Sequence, residues 1–174
     1  SPLMDVLLKP EAKAVLGREV PGMLEKMPPK FDQPPSFAAI MTVRMAVTGR
    51  QVSDEKLAQI DRELTSLRVT DADRLARCAR YDIDTPNIQI PAARPRLLVL
   101  EKITGFRDAA SLAAAHDALY DMAQRNGWGI VFTEKGGAIT PPIVQRFDAV
   151  VWNNVSGDVL TLTQRETLRH YIEG

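Results

Sequence analysis

Strand-like and helix-like segments alternate between residues 96 and 174, and this alternation constrains the fold more than any other feature of the sequence. The segments are a strand at 97–100, a helix at 109–125, a strand at 129–133, a short helix opening at Pro141, a strand at 149–152 and a helix after Thr163. A β-α-β-α-β-α order favours a parallel sheet with right-handed crossovers. We therefore predict an α/β class here, with three parallel strands covered by helices on both faces.

Three parallel strands form only half of a doubly wound domain, and a fourth strand is expected after Gly174. We therefore expect residues 95–174 to be the first half of an α/β domain, completed by a following segment or by a second copy of the chain. The sequence begins at Ser1-Pro2 without Met. A removed leader, with a periplasmic or secreted location, is one expectation, and a cytoplasmic location is the other.

Residues 1–82 show short helical stretches separated by prolines, and we predict an all-helical N-terminal extension there. The predicted helices and their N-caps are 37–47 after Ser36, the stretch after Ser53 that contains Leu57, Ile60, Leu64 and Leu67, and the stretch from Thr70 to Arg80. Cys78 is predicted to lie in the core of the last of these helices. Residues 83–94 are predicted to form an extended connector.

The charge balance excludes two classes of partner. The chain has 22 Lys+Arg and 22 Asp+Glu residues, so its formal net charge is zero. Nucleic-acid-binding domains carry an excess of basic residues, and anionic membranes attract polybasic segments, so we predict neither partner. No apolar run approaches the roughly 20 residues that span a bilayer. The single cysteine excludes an intramolecular disulfide.

The candidate ligand site lies in the loops that follow the predicted strands, because open α/β sheets bind ligands outside the carboxyl ends of their strands. These loops are 102–108, 134–137 and 153–158. The candidate binding residues are Thr104, Gly105, Phe106, Arg107, Asp108, Asn153, Asn154, Gly157 and Asp158. Catalytic residues stay unassigned.

Each of the two main loops has two interpretations. Arg107 and the backbone N–H groups near it could bind an anion or sugar hydroxyls. Alternatively, Asp108 or Ser111 caps the following helix and Arg107 pairs with an acidic residue. The Asn153-Asn154 pair supplies donors and acceptors for sugar hydroxyls, or it forms a turn network that holds its own loop.

The remaining reactive side chains give weak signals. His116 is predicted to be a surface or interface residue in mid-helix, and His170 to offset the helix dipole in the last turn of its helix. Thr163 and Glu166 are predicted to form a capping box, with Leu168, Tyr171 and Ile172 facing inward. The sequence contains no Gly-x-Gly-x-x-Gly, no Walker motif and no metal-ligand spacing, so we expect no cofactor and no metal.

The loops resemble those of the ThuA-like, or trehalose-utilisation, family over residues 95–174. The resemblance is carried by Leu-Leu-Val-Leu at 97–100, Thr-Gly-Phe-Arg at 104–107, the 147–154 segment ending in Asn153-Asn154, Gly-Asp-Val-Leu-Thr at 157–161, Gln164 and Tyr-Ile-Glu-Gly at 171–174. It implies a flavodoxin-like three-layer sandwich, similar to class I glutamine amidotransferase domains. It also implies a role in carbohydrate utilisation, with a disaccharide or an oxidised (3-keto) sugar as the small-molecule partner.

Two departures from the family pattern bear on activity. The family usually has His after Gly-Phe-Arg, where this chain has Asp108, so a reaction step that depends on that His is expected to be lost. The family also continues past the position of Gly174 into a Gly-rich strand. We therefore expect part of a sugar site, incomplete as a catalyst, and the residues leave open whether the chain is an enzyme.

Two other functions remain as alternatives. One is a non-catalytic interaction or oligomerisation module, in which the open side of an incomplete sheet pairs with a second copy or with a missing segment. The other is a flavodoxin-like domain that binds phosphate or a nucleotide, which predicts anion binding at the loop around Gly105.

Overall fold

The computed structural model describes residues 2–78 and 82–174. The chain divides into two compact units, Ser1–Ala79 and Arg80–Gly174, and each is described by itself below.

The first unit is helical. Within residues 2–78 the α-helices are α1 (Leu3–Leu8), α2 (Pro10–Glu19), α3 (Val43–Val47), α4 (Asp54–Ser66) and α5 (Asp71–Cys78). The helices α1 and α2 are separate because Pro10 forces the preceding Lys9 into an extended conformation, while Pro10 itself fits the first turn of α2. Leu3, Leu16 and Ile60 are fully buried in a core that joins α1, α2 and α4.

The prediction of one helix over residues 37–47 is wrong. Ser36 caps a 3-10 turn at Phe37–Ala39, and Thr42 caps the separate helix α3 by accepting a hydrogen bond from the Met45 backbone N–H. The helix is interrupted because Thr42 forms an antiparallel bridge with Pro2, and the Met41 carbonyl accepts a hydrogen bond from the Leu3 N–H at 2.8 Å. A tertiary contact therefore replaces the local helical pattern at this point.

The two predicted caps at Ser53 and Thr70 are confirmed. The Ser53 side chain accepts a hydrogen bond from the Lys56 N–H, and the Thr70 hydroxyl accepts one from the Asp73 N–H at 3.2 Å. The predicted extension of the last helix to Arg80, and the predicted core position of Cys78, lie outside what the structure describes.

The second unit is an α/β unit, which confirms the predicted class. Its elements are β1 (Arg96–Leu100), α6 (Ala109–Asn126), β2 (Gly129–Thr133), α7 (Pro141–Val144), β3 (Ala149–Trp152) and α8 (Leu162–Glu173). The sheet is parallel, in the order β2-β1-β3, with Leu98 beside both Val131 and Val150. Residues 98–100 of the central strand are completely buried, as a continuous apolar run predicts.

The strand order places a topological switch point between β1 and β3. The chain moves to one side of β1 to form β2 and to the other side to form β3. Because both crossovers are right-handed by rule, α6 and α7 lie on opposite faces of the sheet. Ligands in open α/β sheets bind at this kind of switch point, outside the carboxyl ends of the strands.

The face of the sheet that packs on α7 and α8 holds the larger core. Leu98, Leu100, Ile139 and Phe147 are buried there, and Tyr171 packs against them. The connector contributes to this core as well, since Ile88 and Ile90 pack on it.

Two details of α8 differ from the predictions. The capping box of α8 is formed by Thr161 and Gln164 instead of Thr163 and Glu166. Ile172 is 73% exposed instead of facing inward.

Candidate functional site

The loops that follow β1 and β3 are tied together by their backbones. The N–H groups of Thr104 and Gly105 both donate to the Ser156 carbonyl, at 2.9 and 3.0 Å. The Thr104 hydroxyl donates to the Asp158 carbonyl at 2.9 Å. Gly157 has φ +84°, and a Cβ there would lie 2.5 Å from the Thr104 hydroxyl, so the contact requires glycine. These predicted binding residues therefore hold the two loops in place.

A polar network lies at the carboxyl ends of β1 and β3, on the side of α6. Glu101 follows β1 directly and extends its ladder, because its N–H donates to the Thr133 carbonyl at 2.8 Å. The Glu101 side chain is 9% exposed, and its two oxygens lie 3.0 and 3.1 Å from Nδ1 of His116 on α6. The His116 ring stacks on Phe132 of β2, with 3.7 Å between ring centroids.

The Asn153-Asn154 pair completes this network. The Asn153 N–H donates to the Leu100 carbonyl and so extends β3, while its side-chain Nδ2 donates to Glu101 Oε1 at 2.8 Å. Asn154 has φ +53°, a left-handed conformation that asparagine tolerates better than most residues. Its Nδ2 donates to Asn153 Oδ1 at 2.9 Å, and its side chain is exposed. The buried carboxylate and amide are thus linked to polar groups at the surface.

A second polar cluster lies at the end of β1, where Lys102 follows Glu101. Successive side chains of a strand point to opposite faces, so Lys102 reaches away from α6. It forms a partly buried ion pair with Asp82. The Asp82 backbone carbonyl also accepts a hydrogen bond from Gln164 of α8 at 2.8 Å. This cluster ties the connector to β1 and α8.

The ionisation of Asp82 follows from this environment. Burial alone raises the pKa of Asp82, but the hydrogen bond from Lys102, the positive charges of Lys102 and Lys135 and the Gly136 N–H together hold the pKa below its ordinary value. Asp82 is therefore a carboxylate that balances a buried ammonium group.

The charged residues predicted for the site have protein partners. Asp108 caps α6, since it accepts hydrogen bonds from the Ser111 N–H at 3.1 Å and the Ser111 hydroxyl at 2.7 Å. These two bonds hold the pKa of Asp108 below its ordinary value. Arg107 pairs with Glu134 at 3.2 Å, and Asp158 pairs with Arg165 at 2.7 Å.

Glu101 and His116 were not among the site residues predicted from the sequence. His116 was expected at a surface or interface. Its side chain is 39% exposed and also contacts Glu101 and Phe132. The sequence does contain a signal for Glu101, which is an acidic residue directly after a buried strand. Proteins rarely bury a charged side chain without a partner, so such a position indicates a polar contact. Phe106, which was predicted, lies on the same edge of the sheet and is 48% exposed.

No family model, curated protein or solved structure matches this chain. Over residues 2–78 and 82–174, no helix is long and apolar enough to cross a membrane. The same described residues contain no group of three His, Cys, Asp or Glu side chains that could hold a metal ion.

Proposed function

We propose that the α/β unit binds a neutral sugar, a disaccharide or a keto-sugar, at the carboxyl ends of β1 and β3, as a ThuA-like carbohydrate-utilisation protein would. The observation that carries the proposal is the network of Glu101, His116, Asn153 and Asn154 at the topological switch point. Buried, fixed polar groups leading to an exposed carboxamide are suited to hydroxyl groups, which both donate and accept hydrogen bonds.

An exposed aromatic residue supports a sugar as the ligand. Phe106 lies on the loop that follows β1, and a ligand site combines apolar or aromatic surface with a few convergent polar groups. The loop is held by the hydrogen bonds from Thr104 and Gly105 to Ser156. Phe106 is therefore displayed from an anchored segment at the same edge as Asn154.

The charges at this edge favour a neutral ligand over phosphate or a nucleotide. Asp108 places a carboxylate at the N-terminus of α6, where an anion would otherwise bind. Arg107 is paired with Glu134, and the Gly105 N–H is used by the Ser156 carbonyl. The Arg107 guanidinium and the Gly105 N–H, which were predicted to hold an anion, therefore already have partners within the unit.

Asp108 also limits the chemistry that we propose. The residue stands where the ThuA-like pattern usually has His, and its carboxylate is engaged as the N-cap of α6. A proton transfer at that position would disrupt the cap. We therefore propose sugar binding, without a catalytic step at Asp108.

Calorimetric titration tests the proposal. The probes are trehalose, maltose and cellobiose with their 3-keto derivatives, and inorganic phosphate serves as the anionic comparison. We expect at least one sugar to bind and phosphate to give no heat. Asn154→Ala should weaken sugar binding, whereas Asn126→Ala, at the exposed end of α6, should leave it unchanged. Absence of binding by every sugar, or equal losses in both variants, would overturn the proposal.

A second candidate function is assembly with another copy through β3. Among the described residues β3 pairs with β1 alone, and Trp152 at its end is 45% exposed. An open strand edge beside an exposed aromatic residue is a template for pairing. Light scattering distinguishes this candidate: a concentration-dependent dimer that Trp152→Ser abolishes supports it, and a monomer at high concentration excludes it.

A further inference from the structure

We infer that Nε2 of His116 is a hydrogen-bond acceptor in the sugar site. A hydroxyl group of the ligand donates its hydrogen bond to this atom. The inference rests on the proposed function and adds to it a residue and a direction of hydrogen bonding. Glu101 would act as a positioning residue that sets the proton of the imidazole ring. The argument depends on three features of the network, which are its carboxylate, its amide and its ring stack.

The carboxylate determines which ring nitrogen holds the proton. Both oxygens of Glu101 face Nδ1 of His116, at 3.0 and 3.1 Å. An ionised carboxylate has no proton to donate, so the Nδ1 atom must be the donor. In the neutral ring the proton then lies on Nδ1, and Nε2 is left with a free lone pair.

The amide of Asn153 places a second N–H donor against Glu101. Asn153 Nδ2 lies 2.8 Å from Glu101 Oε1 and 3.4 Å from the Leu112 carbonyl, which can only accept. A flipped amide would place its oxygen against both acceptors, so the NH₂ group must face them. Glu101 Oε1 thus has N–H donors from both Asn153 and His116, as an acceptor-only carboxylate requires.

The stack on Phe132 holds the ring in one plane. The ring centroids of His116 and Phe132 are 3.7 Å apart, with 27° between the ring planes. Two contacts, the stack and the Nδ1 bond, therefore fix the orientation of the imidazole. The His116 side chain is 39% exposed, and within the described residues its ring forms hydrogen bonds to Glu101 alone, through Nδ1. The acceptor is fixed in direction and open to a ligand.

This arrangement specifies the ligand chemistry. A fixed acceptor selects a hydroxyl that can donate, so it should favour an alcohol over a carbonyl, an ether or a fluorine substituent at the same carbon. Among the sugars proposed above, the position facing His116 is therefore a hydroxyl group and not the keto group.

Nitrogen NMR of the complete chain tests the inference, because the protein has only 2 histidines. At alkaline pH we expect the His116 proton on Nδ1 and an unprotonated Nε2. His170 provides an internal control with the opposite contact, since its Nε2 faces Glu166 at 3.2 Å. Glu101→Gln should remove the Nδ1–H preference of His116 and leave His170 unchanged.

A ligand titration forms the second part of the test. A sugar that binds by calorimetry should shift the Nε2 resonance of His116 and not those of His170. His116→Phe keeps an aromatic ring against Phe132 and removes the acceptor, and it should weaken that sugar about tenfold or more. His170→Phe should leave the affinity unchanged. The monodeoxy sugar that lacks the facing hydroxyl should bind the wild type as weakly as the parent sugar binds His116→Phe.

The outcomes separate this inference from the proposed function. A proton on Nε2 of the neutral His116 ring, observed at alkaline pH in the wild type, overturns the inference, whatever binds. A sugar that binds without shifting the His116 Nε2 resonance overturns the inference and leaves the proposed function standing. If no sugar binds, the proposed function fails, and the ligand assigned to His116 fails with it.

Discussion

Glu101 and Lys102 are adjacent in sequence and almost equally buried, yet the polar clusters around them differ in one respect. The cluster around Lys102 is closed, because the Asp82 carboxylate pairs with the Lys102 ammonium group and the Asp82 backbone carbonyl accepts a hydrogen bond from Gln164. The cluster around Glu101 is open, because it leads to the partly exposed ring of His116, whose Nε2 has no hydrogen-bond partner among the described residues, and to the exposed carboxamide of Asn154. Both clusters are positioned by the end of the same strand.

The difference shows how one strand end can serve two purposes. Side chains that follow each other point to opposite faces, so the sheet separates a structural cluster from a ligand-binding cluster within two residues. A buried charge needs a partner in either case. On the Lys102 side the partner holds the connector in place, and on the Glu101 side the partners reach the surface. The variants below test this division, from the largest expected change in stability to the smallest.

The ion pair between Asp82 and Lys102 should give the largest effect. Asp82→Ala leaves a buried ammonium group without its counter-ion, and we expect the free energy of unfolding to fall by about 2–3 kcal/mol. Urea denaturation measures this loss. Glu134→Ala removes one partner of an exposed pair and should cost less than about 1 kcal/mol. Equal losses in the two variants would show that the Lys102 cluster is not structural.

The contact between the two loops should give the next largest effect. Gly157→Ala combines a positive φ with a Cβ that meets Thr104 and Gly105, and we expect a loss of about 2 kcal/mol. Gly127→Ala is the matched control, because Gly127 has φ +67° with nothing within 4 Å of the added Cβ. It should cost only about 1 kcal/mol. If Gly157→Ala costs no more than the control, the loops are not closely tied.

Acidification should remove the contribution of Asp82 gradually. Its folded pKa lies below the ordinary value of 3.8, so the carboxylate stabilises the fold above that value and this contribution is lost as the pH falls through the folded pKa. We expect the difference in unfolding free energy between wild type and Asp82→Asn to be constant above about pH 5 and to shrink below pH 3.8. A difference that grows on acidification would contradict the assignment.

The smallest change in stability is expected at Asn154. Asn154→Gly removes the positive-φ strain together with one hydrogen bond to Asn153, and these effects oppose each other. We expect the free energy of unfolding to change by less than about 1 kcal/mol. Sugar affinity should nevertheless fall, because the exposed carboxamide is lost. Retained affinity in a stable Asn154→Gly protein would place the ligand elsewhere.

The sheet could be predicted from sequence because its signals are local. Continuous apolar runs separated by helical stretches define the three strands, and the strand ends then locate the candidate loops. The prediction of one helix over residues 37–47 was wrong because the bridge between Pro2 and Thr42 is a tertiary contact that outweighs helical periodicity. The caps at Ser53 and Thr70 were predicted correctly, whereas the capping box of α8 begins two residues earlier than predicted, at Thr161.

The Glu101–His116 pair could not be predicted in the same way. Its two residues are separated by 15 positions, and their contact depends on how α6 is rotated about its axis. Asn153 and Asn154 were found because they follow a strand, but their link to Glu101 required the packed structure.

The central claim is that the Glu101 side of the strand end binds the ligand and the Lys102 side supports the fold. The most direct test is an NMR titration that follows nitrogen signals on both sides while trehalose or another sugar that binds is added. We predict shifts in the carboxamides of Asn153 and Asn154 and in the imidazole of His116, with the Gly136 amide and the Gln164 carboxamide unchanged. Shifts confined to Gly136 and Gln164, or equal shifts on both sides, would contradict the account.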